Sequence, residues 1–189
     1  MNKMKEFFEN AGSTIITIII VVIATWCFMK FVAQRTDVDG ESMMYTLHDR
    51  DVLMADKITY RFSDPKRFDI VIFPYPQDPS EYFIKRVIGL PGETVQIDYN
   101  GNIYINGEIL EEHFGAEIIQ NPGRAAEPIT LGEDEYFVMG DNRNYSMDSR
   151  EPSVGNIKGS DIIGRTWLRI YPFSSFGIID KNKENTSNG

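Results

Sequence analysis

The sequence contains very few of the side chains that build metal centres and histidine-dependent hydrolase sites. Its 189 residues include one cysteine, Cys27, and two histidines, His48 and His113. A single cysteine excludes an intramolecular disulfide and a cysteine-based metal site. Two isolated histidines give little support to a zinc hydrolase. We therefore expect no metal and no other cofactor.

Positive charge is also scarce. The chain has 19 Lys and Arg residues against 28 Asp and Glu residues, and its formal net charge is −9. A surface that binds nucleic acid needs concentrated Lys and Arg, and no basic stripe with interleaved aromatic residues is present. Nucleic acid is therefore not expected as a partner. The 42% of apolar residues suffices for a hydrophobic core, and the length fits one domain plus an anchor.

One long apolar run lies near the N-terminus. The segment from Asn10 to Met29 carries no charge over twenty residues, which is enough to cross a hydrocarbon core of roughly 30 Å. A cleavable signal peptide has a shorter apolar stretch and an Ala-x-Ala-like site after it, whereas Lys30 follows here. The run favours an uncleaved single-pass anchor over a buried core helix.

The charges that flank this run do not decide its orientation. Lys3 and Lys5 precede the run, and Lys30 and Arg35 follow it. The positive-inside rule is therefore tied. Charge alone leaves open which side of the membrane the rest of the chain occupies.

After the anchor, the sequence is typical of a mainly β protein without helical periodicity. Short β-rich runs are bounded by Asp, Pro and Gly, at 51–58, 68–73, 82–90, 136–139 and 161–171. Asn100-Gly101 and Asn106-Gly107 predict two hairpin turns, and 114–130 resembles a loop. We predict an N-terminal stub and anchor (1–33), a β domain (34–93 and 135–175), an inserted hairpin lobe (94–134) and a polar tail (176–189).

The segment "GESMMYTL", residues 40–47, contains a candidate nucleophile, Ser42. Ser42 is nine residues past Ala33, and an extended chain covers at most about 3.6 Å per residue, so it lies within roughly 30 Å of the membrane interface. The chain lacks the G-x-S-x-G nucleophile elbow. His48 lies in a polar turn and is better explained as solvated than as the base.

A buried lysine is another possible base for Ser42. Lysine becomes a useful base when burial lowers its pKa. In "YFIKRVIGL", strand alternation places Lys85 between Phe83 and Val87 on one face and Arg86 on the other. From spacing alone, a rim lysine whose amine reaches solvent at a strand end is the commoner arrangement.

A third polar segment, "GDNRNYSMDSR" at 140–150, follows a predicted strand. On its own it indicates only a hydrogen-bonded turn, because Asp, Asn and Ser are common turn residues.

These segments together resemble the sequence boxes of type I signal peptidases of the Gram-positive kind. The boxes "GESMMYTL", "RFDIVIF", "YFIKRVIGLPGE" and "GDNRNYSMDSR" occur in family order, and with the anchor and "DIIGRTWL" the resemblance covers residues 10 to 172. It implies a membrane-bound serine endopeptidase with a β-rich fold and a Ser/Lys dyad. Such enzymes remove signal peptides from exported preproteins after Ala-x-Ala-like sites, with the catalytic domain on the outer face of the bacterial membrane. Exported preproteins and the lipid bilayer are then the implied partners, and proximity to the export machinery is implied as well.

The resemblance assigns roles to residues at matching positions. Ser42 matches the nucleophile, Lys85 the general base and Ser146 a hydroxyl that positions the lysine amine. Further matches, which form a polar network around the site, are Asp148, Arg150 and Arg143.

Gly40 stands where some family members supply an oxyanion-hole hydroxyl, so the hole would use backbone N–H groups, principally that of Ser42. The family prefers small residues before the cleaved bond. We expect Met43, Phe83 and Val87 to form the apolar wall of those pockets.

Two residues depart from the family pattern. Tyr45 replaces a proline after the nucleophile, and Phe68 replaces the glycine of the second box. Neither removes a reacting group, but both could reshape the turn or the groove.

Some alternatives stay open at this point. Four aromatic residues are equally consistent with interfacial anchors and with core packing: Trp167, Tyr171, Phe173 and Phe176. A non-catalytic membrane-anchored relative would be indicated by loss of Ser42 or Lys85, and both are present. A self-cleaving cytosolic regulator is contradicted by the anchor and the charge.

Overall fold

The computed structural model describes residues 2–115 and 117–179. The chain begins with helix α1 (Asn2–Phe31). Within it, the window Gly12–Met29 is long and apolar enough to cross a membrane, and none of that window is buried against the rest of the protein. The alternative of a buried core helix is therefore wrong.

The rest of the described chain is built from short strands and 3₁₀ turns. The strands are β1 (Ala33–Asp37), β2 (Val52–Asp56), β3 (Ile70–Tyr75), β4 (Asp78–Gly89), β5 (Thr94–Ile97), β6 (Ile103–Ile105), β7 (Glu108–Ile109), β8 (Ile129–Thr130), β9 (Glu135–Met139), β10 (Ile157–Lys158), β11 (Gly164–Tyr171) and β12 (Gly177–Ile178). The 3₁₀ turns are Thr59–Arg61, Gly123–Ala126, Gly159–Asp161 and Phe173–Ser175. The prediction of a mainly β protein is confirmed.

Two antiparallel sheets contain these strands. The larger sheet has the order β1-β2-β11-β3-β4-β9-β10, with β12 paired to β11. The smaller sheet has the order β7-β6-β5-β8 and lies between β4 and β9 in the sequence. It occupies the segment for which an inserted lobe is predicted.

The sheets share a core cluster to which strands from both contribute. Ile88 and Phe137 come from the larger sheet, and Val95 and Ile103 come from the smaller one. Gly89, which ends β4, allows this close approach: a Cβ there would lie 2.5 Å from Val95 and 2.8 Å from Leu131. Burial of these apolar side chains fixes the smaller sheet against the end of β4 that follows Lys85.

Several segments differ from the predicted elements. Strand β10 (Ile157–Lys158) was not predicted, and β4 begins at Asp78, four residues before the predicted run. Strand β1 was not predicted, because "AQRTD" has no apolar alternation; it forms by pairing Ala33 with Asp56 and Asp37 with Val52. The loop predicted at 114–130 ends in β8. Strand β12 pairs Ile178 with Leu168, so the first residues of the predicted polar tail belong to the sheet. The rest of that prediction, 180–189, lies outside the described residues.

Candidate active site

Two buried side chains fix the turn that carries Ser42. Met43 is 2% exposed and Leu47 is 0% exposed, and both pack in a core cluster with Leu53 and Ile72. The Leu47 N–H donates to the Met43 carbonyl at 2.8 Å, which closes one helical turn. Ser42 precedes the first of these anchors and is only partly buried. Its hydroxyl is thereby held at the surface of the core.

The structure brings Lys85 of β4 to this hydroxyl. The Lys85 Nζ lies 2.8 Å from the Ser42 Oγ and donates to the Ile84 carbonyl at 3.0 Å. The Phe83 ring covers the amine, with its centroid 4.9 Å from Nζ. Lys85 is 4% exposed, so the alternative of a solvent-reaching rim lysine is wrong.

Burial also changes the acidity of Lys85. Desolvation lowers the pKa of the amine from 10.5 to about 8, although the negative charges of Asp148 and Asp141 act in the opposite direction. About one amine in ten is therefore neutral at pH 7. His48, by contrast, is exposed, and no contact within the described chain joins it to Ser42.

The loop 140–150 closes the site from the end of β9. Gly140 lies so close to the site that a Cβ there would overlap the Ser146 hydroxyl and the Ser42 carbonyl oxygen. The Ser146 Oγ is buried and has no hydrogen-bond partner among the described residues. The Asn142 N–H donates to the Ser42 carbonyl at 3.0 Å, and its side-chain amide donates to the Glu41 carbonyl at 3.1 Å. The loop and the Ser42 turn are thus joined directly.

Two buried ion pairs hold this loop. Arg150 binds both oxygens of Asp148 at 2.8 Å, and Asp148 accepts the Gly140 N–H at 3.0 Å. Arg86 binds both oxygens of Asp141 at 2.8 and 2.7 Å, and both side chains of that pair are 0% exposed. The two pairs fix the positions of residues 140 and 141.

Sequence reasoning missed the role of Arg86 and Asp141. Strand alternation had placed Arg86 opposite Lys85, and a buried arginine needs a carboxylate partner. The need of Arg86 for a carboxylate could therefore have predicted this ion pair from the sequence. Thr46, also missed, donates its hydroxyl to Asp141 at 2.5 Å and links the Ser42 turn to this pair.

Arg143 does not touch the dyad. It binds both oxygens of Glu112 at 2.5 and 2.8 Å and donates from Nε to the Gly140 carbonyl at 3.1 Å. Its place in the network is therefore one step behind Gly140.

An open groove of about 650 Å³ leads to the dyad. Ser42 and Lys85 line it, and so do Gly40, Met43 and Phe83. Val87 does not line the groove, because it is 0% exposed and packs in a core cluster with Phe73 and Val138.

The backbone near Ser42 provides one candidate oxyanion donor. The Ser42 N–H donates to no acceptor within residues 2–115 and 117–179. The Gly40 N–H is already used, because it donates to Asp49 at 3.0 Å. Gly40 has φ +96°, a conformation that side-chain-bearing residues rarely adopt.

The two departures from the family pattern take different positions. Tyr45 is 46% exposed and does not line the groove. Phe68 has φ +71°, a strained value for a bulky residue, and its ring packs on Phe114 with centroids 4.9 Å apart.

Four aromatic residues, for which the sequence left open membrane-interface anchoring or core packing, are all exposed. The exposed fractions are 40% for Trp167, 50% for Tyr171, 81% for Phe173 and 61% for Phe176. Core packing therefore does not explain them.

No group of three or more His, Cys, Asp or Glu side chains in the described parts of the chain could hold a metal ion.

Comparison with known proteins identifies the family of the chain. The family model described as "Signal peptidase, peptidase S26" matches residues 11–171. The chain belongs to the signal peptidase family. As a signal peptidase it is a hydrolase, and its substrates are preproteins that carry signal peptides.

Several signal peptidases are similar to it over most of their length. Signal peptidase I of Leptolyngbya laminosa is 41% identical over 85% of this chain and 80% of its own. Signal peptidase I of Bacillus amyloliquefaciens is 35% identical over 92% of both chains. A crystal structure of a signal peptidase I from Enterococcus faecalis is 35% identical, with a TM-score of 0.45, over 55% of this chain and 97% of that one.

Proposed function

We propose that this chain is a membrane-anchored serine endopeptidase that cleaves signal peptides from exported preproteins after Ala-x-Ala-like sites, with Ser42 as nucleophile and Lys85 as general base. The observation that carries the proposal is the 2.8 Å separation of the Lys85 Nζ and the Ser42 Oγ, at a lysine that is only 4% exposed. A nucleophile within hydrogen-bond reach of a base is the required geometry for covalent catalysis.

Acylation begins with the neutral amine. Lys85 takes the Ser42 proton as the Oγ attacks the scissile carbonyl carbon, and the carbonyl oxygen becomes an oxyanion. The Ser42 N–H stabilises this oxyanion; a single donor of this kind can contribute about 10²–10³ in rate. When the carbon–nitrogen bond breaks, the Lys85 ammonium returns its proton to the leaving amine. The mature protein leaves, and the signal peptide remains as an ester on Ser42.

Deacylation repeats these steps with water. Neutral Lys85 takes a proton from the water that attacks the ester, and the ammonium then protonates the Ser42 Oγ as the signal peptide leaves. The other site residues act on the loop. The role expected for Ser146, positioning of the Lys85 amine, is not supported by a contact, since its Oγ has no hydrogen-bond partner among the described residues. Asp148, Arg150 and Arg143 hold Gly140 in place.

The groove supports small apolar residues before the cleaved bond. Met43 and Phe83 line it beside the dyad, and Met43 is held rigidly by the core. A fixed apolar wall favours alanine-sized side chains, because larger ones would need core rearrangement.

We propose a single-pass topology with the β domain on the extracytoplasmic side of the cell membrane. Helix α1 ends at Phe31 and β1 starts at Ala33, so the larger sheet begins at the membrane surface. The exposed aromatic residues, among them Tyr171 and Phe173, suit the interface. Exported preproteins reach this side of the bilayer, near the export machinery.

The test uses detergent-solubilised full-length protein and a preprotein with an Ala-x-Ala site. We expect wild-type protein to leave a new N-terminus directly after that site. Ser42→Ala and Lys85→Ala should each lose about 10²–10⁴ in rate, whereas Lys66→Ala, at an exposed lysine, should retain activity. A cut at the wild-type rate in either dyad variant would exclude the proposed mechanism.

Topology is tested separately in intact cells. Protease added outside the cells should degrade the β domain while a cytoplasmic marker protein stays intact. Protection of the β domain until the membrane is opened would place it on the cytoplasmic side and contradict the proposal.

A further inference from the structure

A short segment that leaves the smaller sheet contacts the residues behind the dyad. It follows β7 and consists of residues 111–115, which we call the strap. Two of its side chains face the larger sheet: Phe114 is 6% exposed, and the side chain of Glu112 is 10% exposed. The neighbouring Glu111 is exposed to solvent.

Glu112 acts on Gly140 through one arginine. Its two carboxylate oxygens bind Arg143 at 2.5 and 2.8 Å, and Arg143 donates from Nε to the Gly140 carbonyl at 3.1 Å. Gly115 lies against the same side chain, since a Cβ there would be 2.7 Å from the Arg143 Cγ. The strap therefore limits the movement of Arg143 and, through it, of Gly140.

Phe114 acts on Asp141 through a second arginine. Its ring lies under the Arg86 guanidinium, with 3.8 Å between the ring centroid and Cζ, a distance typical of a strong cation–π contact. Arg86 holds both oxygens of Asp141. Phe68 also packs against Phe114, with ring centroids 4.9 Å apart. The residue that replaces the family glycine thus supports the strap ring.

The loop residues held in this way determine the position of the dyad. Gly140 is in contact with the Ser146 hydroxyl and the Ser42 carbonyl. Asp141 accepts the Thr46 hydroxyl, and Asn142 donates to the Ser42 carbonyl. A shift of this loop would move the nucleophile relative to Lys85.

We propose that Glu112 and Phe114 are positioning residues of the active site, which act through Arg143 and Arg86 to hold the loop 140–142 against the dyad. The proposal rests on the proposed Ser42/Lys85 mechanism. It assigns a segment that leaves the smaller sheet a role in the reaction, because the strap contacts the two arginines that hold residues 140 and 141.

A loosened loop has a specific electrostatic consequence. Lys85 faces the Ser42 hydroxyl and the Phe83 ring, and the charges that act on it are those of Asp141 and Asp148. Each carboxylate is paired, the first with Arg86 and the second with Arg150. Desolvation is the largest influence on the amine, so water admitted by a displaced loop raises its pKa toward the ordinary value.

The experiment compares Glu112→Gln and Phe114→Leu with two matched controls in the detergent-solubilised full chain. Glu111→Gln removes the adjacent exposed carboxylate, and Phe114→Tyr keeps the ring face that Arg86 covers. With an Ala-x-Ala preprotein, we expect both strap variants to lose roughly tenfold or more in kcat with little change in KM. The acid-side midpoint of their pH–rate profiles should rise by about half a unit. Both controls should behave like the wild-type protein.

Stability is measured on the same samples by thermal unfolding. A variant with lower Tm, wild-type kcat below its Tm and an unmoved pH midpoint would overturn the proposal, since its role would be structural only. Glu112→Gln is nearly isosteric, so this test remains decisive if Phe114→Leu does not fold. Ser42→Ala distinguishes the positioning proposal from the proposed mechanism. If Ser42→Ala cleaves at the wild-type rate, the proposed mechanism fails. If Ser42→Ala loses activity but both strap variants are unchanged, only the positioning role is overturned.

Discussion

Lys85 and Arg86 are consecutive residues of β4 and both are buried, but only Arg86 forms an ion pair. Arg86 binds both oxygens of Asp141 and is 0% exposed. Lys85 has no carboxylate within ion-pair distance in the described chain, and its Nζ contacts the Ser42 Oγ and the Ile84 carbonyl. Alternation along the strand directs the two side chains to opposite faces. Arg86 is therefore held in an ion pair, whereas Lys85 has a pKa lowered to about 8 and can lose its proton near neutral pH.

The rate of cleavage should follow the neutral fraction of Lys85. Since burial lowers the pKa of this amine to about 8, we expect kcat/KM to rise about tenfold per pH unit below that value and to level above it. The measurement is kcat/KM between pH 6 and pH 10 on a preprotein without titrating groups near the cut. A flat profile over this range would exclude a lysine base that titrates there.

The same pKa shift predicts how Lys85 affects stability. The folded pKa of about 8 lies below the unfolded value of 10.5, so between these values the unfolded state binds more protons and stability rises with pH. Below pH 8 the buried charge costs roughly 3 kcal/mol. We expect Lys85→Met to be more stable than wild type at pH 7 and similar to it near pH 10.5, as measured by urea unfolding. Equal differences at both pH values would contradict this prediction.

Gly140→Ala should disrupt the site without an intrinsic backbone penalty. The added Cβ overlaps the Ser146 hydroxyl and the Ser42 carbonyl, so the loop or the Ser42 turn must move. We expect a loss of about 10² in kcat and a destabilisation of about 1–3 kcal/mol.

Gly132→Ala is the matched control for this substitution. Its nearest neighbour would be the flexible Glu135 side chain at 3.3 Å, which can shift. Comparable losses in Gly132→Ala and Gly140→Ala would show that the contact with Ser146 and Ser42 is not the cause.

Removal of Asp141 should strongly destabilise the fold. Asp141→Ala leaves the Arg86 charge buried without its carboxylate, and such a change costs about 3–5 kcal/mol. The double variant Arg86→Met with Asp141→Ala should cost less than the sum of the two single changes, because no unpaired charge remains. Denaturant unfolding of the four proteins measures this coupling.

An exposed ion pair provides the comparison for Asp141. The side chains of Arg35 and Asp37 are 61% and 63% exposed, so Asp37→Ala should cost about 1 kcal/mol or less. Similar effects of Asp37→Ala and Asp141→Ala would be evidence against a dominant role of burial.

Many of the strands could be predicted from the sequence because the patterns that indicate them are local. The strands β2 and β11 lie within β-rich runs bounded by Asp, Pro or Gly, and β3, β4 and β9 overlap such runs. The strand β1 could not be predicted, since "AQRTD" becomes a strand only by pairing with β2. Val87 lies on the same strand face as Lys85, yet it packs in a core cluster. Periodicity identifies a face of the strand and not the position along that face where a groove opens.

The sequence by itself determined the apolar anchor, the mainly β character, the family and the candidate pair Ser42 and Lys85, since these depend on composition, local periodicity and short motifs. Tertiary structure alone decided that Lys85 is buried, that its amine contacts the Ser42 hydroxyl, and that Glu112 and Phe114 contact Arg143 and Arg86. These features join residues far apart in the chain. Their distances and desolvation arise only when the two sheets pack, and desolvation is the physical cause of the lowered pKa of Lys85.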